Sequence, residues 1–359
     1  MNDKNATPIS QLGEFGLIRH LTLDIKLTNS TSYRGVGDDC AVIEPQSGYR
    51  QLVTTDILME GIHFDLSYTP LKHLGYKAAV VNISDVCAMM GLPQQLLVSL
   101  AVDKRFSVED VDQIYSGIRL ACDRYGVDLV GGDTSSSLTG LVISPTCIGQ
   151  AQADKIVYRS GARDTDLICV SGNLGAAYMG LQLLEREKHV YDQQVHKGVS
   201  SVTAQPDFSG HEYILERQFK PEARLDIVHR LKKADIQPTS MMDISDGLSS
   251  ELLHICKQSQ TGCLIYEDRI PIDLQTAAMA EQFNISPTTC ALNGGEDYEL
   301  LFTVSLADYD KVKQLEDIRI IGRIQKAQYG CELETSSGQD YPLEAQGWQA
   351  MSETPDKSS

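Results

Sequence analysis

Hydrophobic and polar positions divide the chain into segments that have strand and helix periodicity in turn. In the first half, residues 96–102 form an apolar run of strand length, whereas residues 108–125 place Val111, Ile114 and Ile118 at helical spacing. Further strands are predicted at 51–56, 129–134 and 141–149. This alternation of strands and helices predicts an α/β fold.

The second half continues the alternation but contains one long interruption. A strand is predicted at 167–172, a helix at 175–187, and a helical pattern at 211–233 that is interrupted at Pro221. Residues 189–210 are polar and aperiodic, which predicts a loop or a mobile insertion.

The length of the chain bounds its domain organisation. A chain of 359 residues exceeds the usual size of a single hydrophobic core, so two domains are expected. We place an N-terminal metal- and nucleotide-binding domain at 1–150, a C-terminal α/β domain at 151–350 and a disordered tail at 351–359.

Carboxylates next to glycines recur at widely separated turns. The turns are Gly35-Val36-Gly37-Asp38-Asp39, Gly131-Gly132-Asp133, Asp243-Ile244-Ser245-Asp246-Gly247 and Gly294-Gly295-Glu296-Asp297, and a strand ends at Thr54-Thr55-Asp56. Neighbouring acids repel each other unless a cation lies between them, and glycine lets the backbone approach a charged ligand closely. Our hypothesis is a magnesium and nucleotide site built from distant parts of the chain.

Several of these side chains have structural alternatives. Asp85 belongs to the nearly all-apolar segment 74–91, where a carboxylate is costly unless it binds metal or pairs with a lysine. Asp246 or Ser245 could cap the helix predicted after Gly247, although capping explains one acid and leaves Asp243 unexplained. His63 has an ordinary loop histidine as its equal alternative, and Tyr115 has a core position on its helix.

Charge and cysteine content narrow the class of partner. The net charge of −18 argues against a nucleic acid or an anionic membrane, and it requires divalent cations or backbone amides wherever a phosphate binds. The nine cysteines include no Cys-x-x-Cys pair and are predicted to be small core residues in a reducing compartment, not a disulfide framework or a zinc site. The N-terminal residues lack the apolar core of a signal peptide, so a cytoplasmic location is expected.

Seven motifs in order along the chain resemble those of the thiamine-monophosphate kinases. They are Gly35-Val36-Gly37-Asp38-Asp39-Cys40-Ala41, Thr54-Thr55-Asp56, Asn82-Ile83-Ser84-Asp85, Gly131-Gly132-Asp133-Thr134, Arg159-Ser160-Gly161, Asp243-Ile244-Ser245-Asp246-Gly247 and Gly294-Gly295-Glu296-Asp297-Tyr298-Glu299-Leu300. Each motif is weak alone, but the set spans nearly the whole chain. The C-terminal segment Gly347-Trp348-Gln349 departs from the usual Gly-[Trp/Tyr]-Asp-His-Phe ending.

The resemblance implies a fold, a reaction and a set of residues. The fold is the two-domain aminoimidazole ribonucleotide synthetase-like fold, in which the N-terminal domain pairs across a homodimer into a strand barrel. The reaction is ATP-dependent phosphorylation of thiamine monophosphate to thiamine diphosphate, with several Mg²⁺ ions. The implied metal ligands are Asp39, Thr54, Thr55, Asp56, Asp85, Asp133, Asp243 and Asp246. The implied ATP contacts are Tyr115, Gly132, Asp133, Arg159 and Ser245, and the implied substrate contacts are His63, Glu296 and Trp348.

The chemistry of this reaction needs no catalytic general base. The acceptor phosphate has a second pKa of about 6, so it is already mostly ionised at neutral pH. The alternatives are another ATP-dependent enzyme of the superfamily, of the selenophosphate synthetase or aminoimidazole ribonucleotide synthetase type, and a non-catalytic metal- or nucleotide-binding module. Selenophosphate synthetases carry a reactive cysteine in an N-terminal glycine-rich segment, whereas no cysteine precedes Gly35 in this chain.

Overall fold

The protein is described by a computed structural model that covers residues 7, 11–12, 17, 20–34, 42–196 and 208–346. Within these residues the strands form three sheets. The strands are β1 Ser32–Arg34, β2 Val42–Ile43, β3 Tyr49–Thr55, β4 Leu58–Met59, β5 Leu92–Val102, β6 Asp128–Ser136, β7 Val142–Gln152, β8 Leu167–Ser171, β9 Ser240–Asp243, β10 Thr261–Tyr266, β11 Leu300–Val304, β12 Ile318–Lys326, β13 Cys331–Glu334 and β14 Asp340–Pro342.

The helices alternate with these strands as the sequence predicted. They are α1 Leu71–Ala88, α2 Val108–Tyr125, α3 Ala176–His196, α4 Glu212–Phe219, α5 Leu225–Lys233, α6 Leu248–Ser259, α7 Leu274–Gln282, α8 Pro287–Asn293 and α9 Tyr309–Val312. The mixed α/β class is therefore confirmed. No helix in the described part of the chain is long and apolar enough to cross a membrane.

The first large sheet has the strand order β3-β7-β5-β6, and β4 also pairs with β7. Helices α1 and α2 cover one of its faces. They pack closely because a Cβ atom on Gly75 would lie 1.9 Å from the Ile114 carbonyl oxygen, and one on Gly117 would lie 1.9 Å from the Lys72 carbonyl oxygen. The two glycines thus allow the two helix backbones to approach closely at both of these contact points.

Helix α2 has the predicted bounds because local sequence signals mark both its start and its end. Ser107 and Asp110 form a reciprocal capping box at the N-terminus, and Gly126 adopts the left-handed conformation that ends the helix. These signals depend only on neighbouring residues, so the sequence suffices to predict them.

The second large sheet has the order β14-β13-β10-β12-β8-β11-β9. Strand β9 lies at one edge and pairs antiparallel with β11, so that Asp243 is opposite Leu300. The strands up to β7 and those from β8 onward thus belong to different sheets. One buried apolar cluster nevertheless takes side chains from both large sheets, for example Leu96 and Phe302. The domain boundary stays a prediction, and the tail at 351–359 lies outside the described residues.

The loop predicted at 189–210 was wrong over its first part, because α3 continues to His196. This extension includes Gln193 and Gln194, which favour helix, and none of its residues is buried, so hydrophobic periodicity gave no signal. Lys188, just before this extension, forms an ion pair with Asp65, which lines the cavity described below.

Candidate active site

Three acidic side chains converge where the two large sheets meet. Asp56 follows the last residue of β3, Asp85 lies on α1, and Asp243 is the last residue of β9. The Ser84 hydroxyl on α1 donates a 2.5 Å hydrogen bond to Asp243 Oδ2, which joins the helix of the first half to the edge strand of the second. Residues far apart in sequence therefore face one another.

The three acids repel one another, and none of them forms an ion pair within the described part of the chain. Burial and the nearby Asp85 raise the pKa of Asp56 to about 6. Burial, Asp85 and Asp56 together raise the pKa of Asp243 to about 7, although the bond from Ser84 opposes the shift. The pKa of Asp85 is also raised, chiefly by burial, while its 2.5 Å bond from Thr54 Oγ1 and the charge of Arg159 oppose the shift. Such a group of carboxylates attracts a divalent cation.

The three acids line one wall of a cavity of about 920 Å³. The cavity is also lined by Ser245, Asp246, His63 and Glu296, all predicted site residues. This volume lies in the range of small-molecule and cofactor sites.

The two structural alternatives for the acids are not what the structure contains. The hydrogen-bond partner of Asp85 is Thr54, not a lysine. Helix α6 has Gly247 as its N-cap with no side-chain capping bond, so neither Ser245 nor Asp246 caps it. Asp85 and Asp246 are therefore both available to bind a ligand.

Comparison with known proteins identifies the family. The family described as "AIR synthase related protein, N-terminal domain" matches residues 37–151. The thiamine-monophosphate kinase of Aquifex aeolicus (strain VF5) is 34% identical over 322 residues, which cover 89% of this chain and 94% of that protein. The chain belongs to the thiamine-monophosphate kinase family.

Two further relatives agree with this membership. The thiamine-monophosphate kinase of Bacillus subtilis (strain 168) is 33% identical and covers 84% of this chain and 87% of its own length. The solved structure of AaThiL complexed with AMPPCP and TMP is 31% identical, with a TM-score of 0.71, over 96% of this chain and 99% of that one. The predicted aminoimidazole ribonucleotide synthetase-like fold and the predicted family are thus confirmed. The chain is an enzyme of the kinase class.

Other residues that the family resemblance implies lie away from the cavity lining. Asp133 and Gly132 are exposed on β6, an edge strand of the first large sheet. Tyr115 is buried in the core and only 6% exposed, so its side chain occupies the position that helical periodicity predicted. Thr55 is exposed and donates its hydroxyl to the Pro145 carbonyl. The ligand roles of these four residues stay predictions.

Arg159 is exposed, and its positive charge opposes the burial that raises the pKa of both Asp85 and Asp246. Asp39 and Trp348, which the family resemblance also implies, lie outside the described residues.

The cavity contains one important residue that sequence reasoning missed. Lys77 is only 7% exposed, and its ammonium lies 2.9 Å from Glu296 Oε1. Lys77, Val81 and Asp85 all line the cavity and follow one another at four-residue spacing on α1. That spacing places them on one helix face and is a signal that the sequence did offer.

A second missed group lies at the mouth of the cavity. Asp65 forms an ion pair with Lys188, and the Tyr68 hydroxyl donates a 2.5 Å hydrogen bond to Glu185. These contacts tie the loop after β4 to the start of the extended part of α3. They could not be found from the sequence because each joins residues more than a hundred positions apart.

Proposed function

We propose that this cavity transfers a phosphoryl group from ATP to thiamine monophosphate, giving ADP and thiamine diphosphate. The observation that carries the proposal is that Asp56, Asp85 and Asp243 line one cavity and that none of them has an ion-pair partner among the residues that the structure describes. It is supported by family membership and by the relative AaThiL, whose structure is complexed with AMPPCP and TMP. AMPPCP is an analogue of ATP, and TMP in this family is thiamine monophosphate.

The donor set fits magnesium. The cavity wall offers carboxylate and hydroxyl oxygens, which Mg²⁺ prefers over nitrogen or sulfur. Among the described residues, no three carboxylates bring their oxygens within 4.8 Å of one another. Mg²⁺ typically uses one or two protein carboxylates and completes its shell with water and substrate phosphates, so several ions shared with the substrates suit this spacing.

Asp56, Asp85, Asp243 and Asp246 would hold these ions in the described part of the cavity. Asp39, Thr54, Thr55 and Asp133 complete the proposed ligand set from the family resemblance. When bound, Mg²⁺ screens the repulsion between two phosphorylated molecules and stabilises the charge of the in-line transition state. The protein's own contribution is to fix the carboxylates: Thr54 orients Asp85 and Ser84 orients Asp243 through hydrogen bonds.

The chain needs no residue that removes a proton from the acceptor. The acceptor phosphate is mostly ionised at neutral pH, so orientation and charge neutralisation are the protein's tasks. Lys77 is the one lysine or arginine of the described cavity lining, and its ion pair with the predicted substrate contact Glu296 supports a role for both in binding the substrate, together with His63. Ser245 and Arg159 are the proposed ATP contacts, and the charge of Arg159 acts on Asp85 and Asp246.

Direct transfer without a phosphoenzyme is part of the proposal. A radioactive label should pass from ADP into ATP only when thiamine diphosphate is also present. Exchange between ADP and ATP without that second product would contradict direct transfer.

The assay that tests the substrate compares ADP formation with and without thiamine monophosphate. We expect ATP consumption to depend on thiamine monophosphate and on Mg²⁺. Equal ATP consumption with selenide or with an aminoimidazole precursor would favour the related synthetases, and ATP binding without consumption would favour a binding module.

We also propose a homodimer in which the open face of the first large sheet is covered. Val53 on edge strand β3 is 67% exposed, and its cross-strand neighbour Ile148 is only partly buried. An apolar sheet face of this kind favours association. Sedimentation analysis should give a dimer, and Val53→Glu should shift it toward monomer; a wild-type monomer at micromolar concentration would contradict the proposal.

A cytoplasmic location is the last part of the proposal. All eight cysteines in the described part of the chain are free thiols, which suits a reducing compartment.

A further inference from the structure

Three cysteines from three different elements meet inside the second half of the molecule. They are Cys256 on α6, Cys263 on β10 and Cys331, the first residue of β13. Their sulfur atoms all lie within 4.8 Å of one another. Among the described residues this is the single group of three or more metal-ligating side chains with such proximity.

The fold brings the three sulfurs together by a tight chain reversal and a close strand contact. Gln260 adopts the left-handed conformation that ends α6, so Cys256 and Cys263 lie on either side of a sharp turn. Strand β13 runs parallel to β10 with Cys331 opposite Cys263. A Cβ atom on Gly262 would lie 1.9 Å from the Gly330 carbonyl oxygen, so this glycine allows the close approach of the segment that carries Cys331.

The surroundings of the three cysteines favour a ligand over mere packing. Cys263 is fully buried and Cys256 is 2% exposed, whereas Cys331 is half-buried and leaves a path from solvent. Three sulfur atoms this close together present a compact set of soft ligands to a single ion.

We propose that Cys256, Cys263 and Cys331 form a three-thiolate site for a thiophilic divalent cation, Zn²⁺ being the best match. With metal–sulfur bonds of about 2.3 Å, three thiolates around one zinc ion lie roughly 4 Å apart, within the observed separation. Soft thiolates select zinc over the hard Mg²⁺ of the kinase cavity. A divalent ion leaves one net negative charge on the three buried thiolates, whereas a monovalent ion would leave two. The free-energy cost of burying the charged group is therefore lower with the divalent ion.

The fourth coordination position would face the open side of Cys331. Three protein ligands leave one position of the tetrahedron for water. The buried Thr261 hydroxyl lies beside Cys256 and offers a polar neighbour in an otherwise apolar environment. The sequence did not indicate this site because zinc motifs are recognised by paired cysteines at short spacing, and these three are dispersed.

The site is separate from the kinase cavity. Cys256 comes about two turns after the start of α6, roughly 12 Å along the helix from the turn that carries Asp246. Metal binding at the cysteines can therefore be measured without following turnover.

The experiment is a titration of reduced, metal-free protein with Cd²⁺, followed by the absorption of thiolate-to-cadmium charge transfer. We expect a band that saturates at one ion per chain, that persists in excess Mg²⁺, and that falls when Zn²⁺ is added as competitor. Cys331→Ser should weaken cadmium binding at least about 10-fold, since even the loss of a residue that supports a ligand costs that much. Cys169→Ser, at a buried cysteine outside the group, should bind as the wild type does.

A second measurement needs no variant. Zn²⁺ should protect Cys331 of the wild-type protein from alkylation by iodoacetamide and should raise its melting temperature. No charge-transfer band in the wild type, equal binding by Cys331→Ser, or equal alkylation with and without Zn²⁺ would each overturn the proposal and leave the three cysteines as core residues.

Discussion

Two buried acids on neighbouring strands have opposite environments. Asp243 ends β9 and is 5% exposed, and Glu299 precedes β11 and is 1% exposed. They are nearly in contact through the backbone, since the Ile244 amide donates to the Glu299 carbonyl at 2.8 Å. The side chain of Glu299 pairs with two guanidiniums, Arg217 at 2.9 Å and Arg224 at 2.5 Å.

Asp243 has no such partner in the described part of the chain. Its hydrogen bond comes from the neutral Ser84, and the charges that affect it most are those of Asp85 and Asp56, which raise its pKa. The difference teaches that a buried acid paired with arginines of the same chain stabilises the fold. A buried acid among other acids is instead suited to bind a cation from solution. Five predictions test this contrast, from the largest expected effect to the smallest.

Replacing Glu299 should destabilise the fold most. Glu299→Gln removes the carboxylate that the buried Arg217 and Arg224 share and leaves Arg224 only the more exposed Asp226 and Asp317, so we expect the free energy of unfolding to fall by about 3–5 kcal/mol. Urea denaturation without metal or nucleotide measures it. The control Asp317→Asn removes a 60% exposed acid 3.7 Å from Arg224 and should cost less than about 1 kcal/mol. Equal losses in both variants would remove the structural role of Glu299.

Replacing Asp85 should affect turnover instead of stability. Asp85→Asn removes a negative charge from the acid group, so the metal-free protein should be at least as stable as the wild type. Its kcat/KM should fall by about 100-fold, equivalent to roughly 2.7 kcal/mol of transition-state stabilisation. The control is Asp112→Asn, an exposed acid of α2 paired with His20. Wild-type turnover of Asp85→Asn at limiting Mg²⁺ would exclude this residue from the metal site.

The raised pKa values predict how pH acts on the metal-free protein. Asp56 and Asp243 bind protons more tightly in the folded state than in the unfolded state, with pKa values of about 6 and about 7 instead of 3.8. Their contribution to stability is therefore complete below pH 4 and is lost as the pH rises through 6 to 7. Thermal denaturation at a series of pH values should show this loss, and Asp243→Asn should reduce it.

Magnesium should reverse that trend, because it binds the deprotonated acids. Calorimetric titration should give Mg²⁺ affinity about 10-fold weaker at pH 5.5 than at pH 7.5. If the Mg²⁺ affinity did not change with pH, then Asp56 and Asp243, which take up protons in this range, would not be the ligands.

The smallest effect separates two adjacent threonines. Thr54→Val removes the hydrogen bond that orients Asp85, so kcat/KM should fall by up to about tenfold. Thr55→Val removes a proposed ligand whose hydroxyl is already bonded to the Pro145 carbonyl, so kcat/KM should fall less than in Thr54→Val. A larger effect at Thr55 would show that this residue, and not Thr54, acts on the acids.

Much of this protein follows from local sequence. Helix α2 has its predicted bounds because Ser107, Asp110 and Gly126 signal its ends to their immediate neighbours. Asp56, Asp243 and Asp246 were identified by their acidic strand ends and turns and Asp85 by its apolar segment, and all four line the cavity. The family itself was identified from seven short motifs, each of them local.

Tertiary structure alone decided which groups meet and which charges stay unpaired. The ion pair of Lys77 with Glu296, the bond from Ser84 to Asp243 and the contact of Cys256, Cys263 and Cys331 each join elements distant in sequence. Periodicity places a side chain on a face of its own helix or strand, but the packing of that face against a remote element sets its burial and its electrostatic neighbours. For that reason the sequence could name the acids, and only the folded chain distinguishes Asp243 from Glu299.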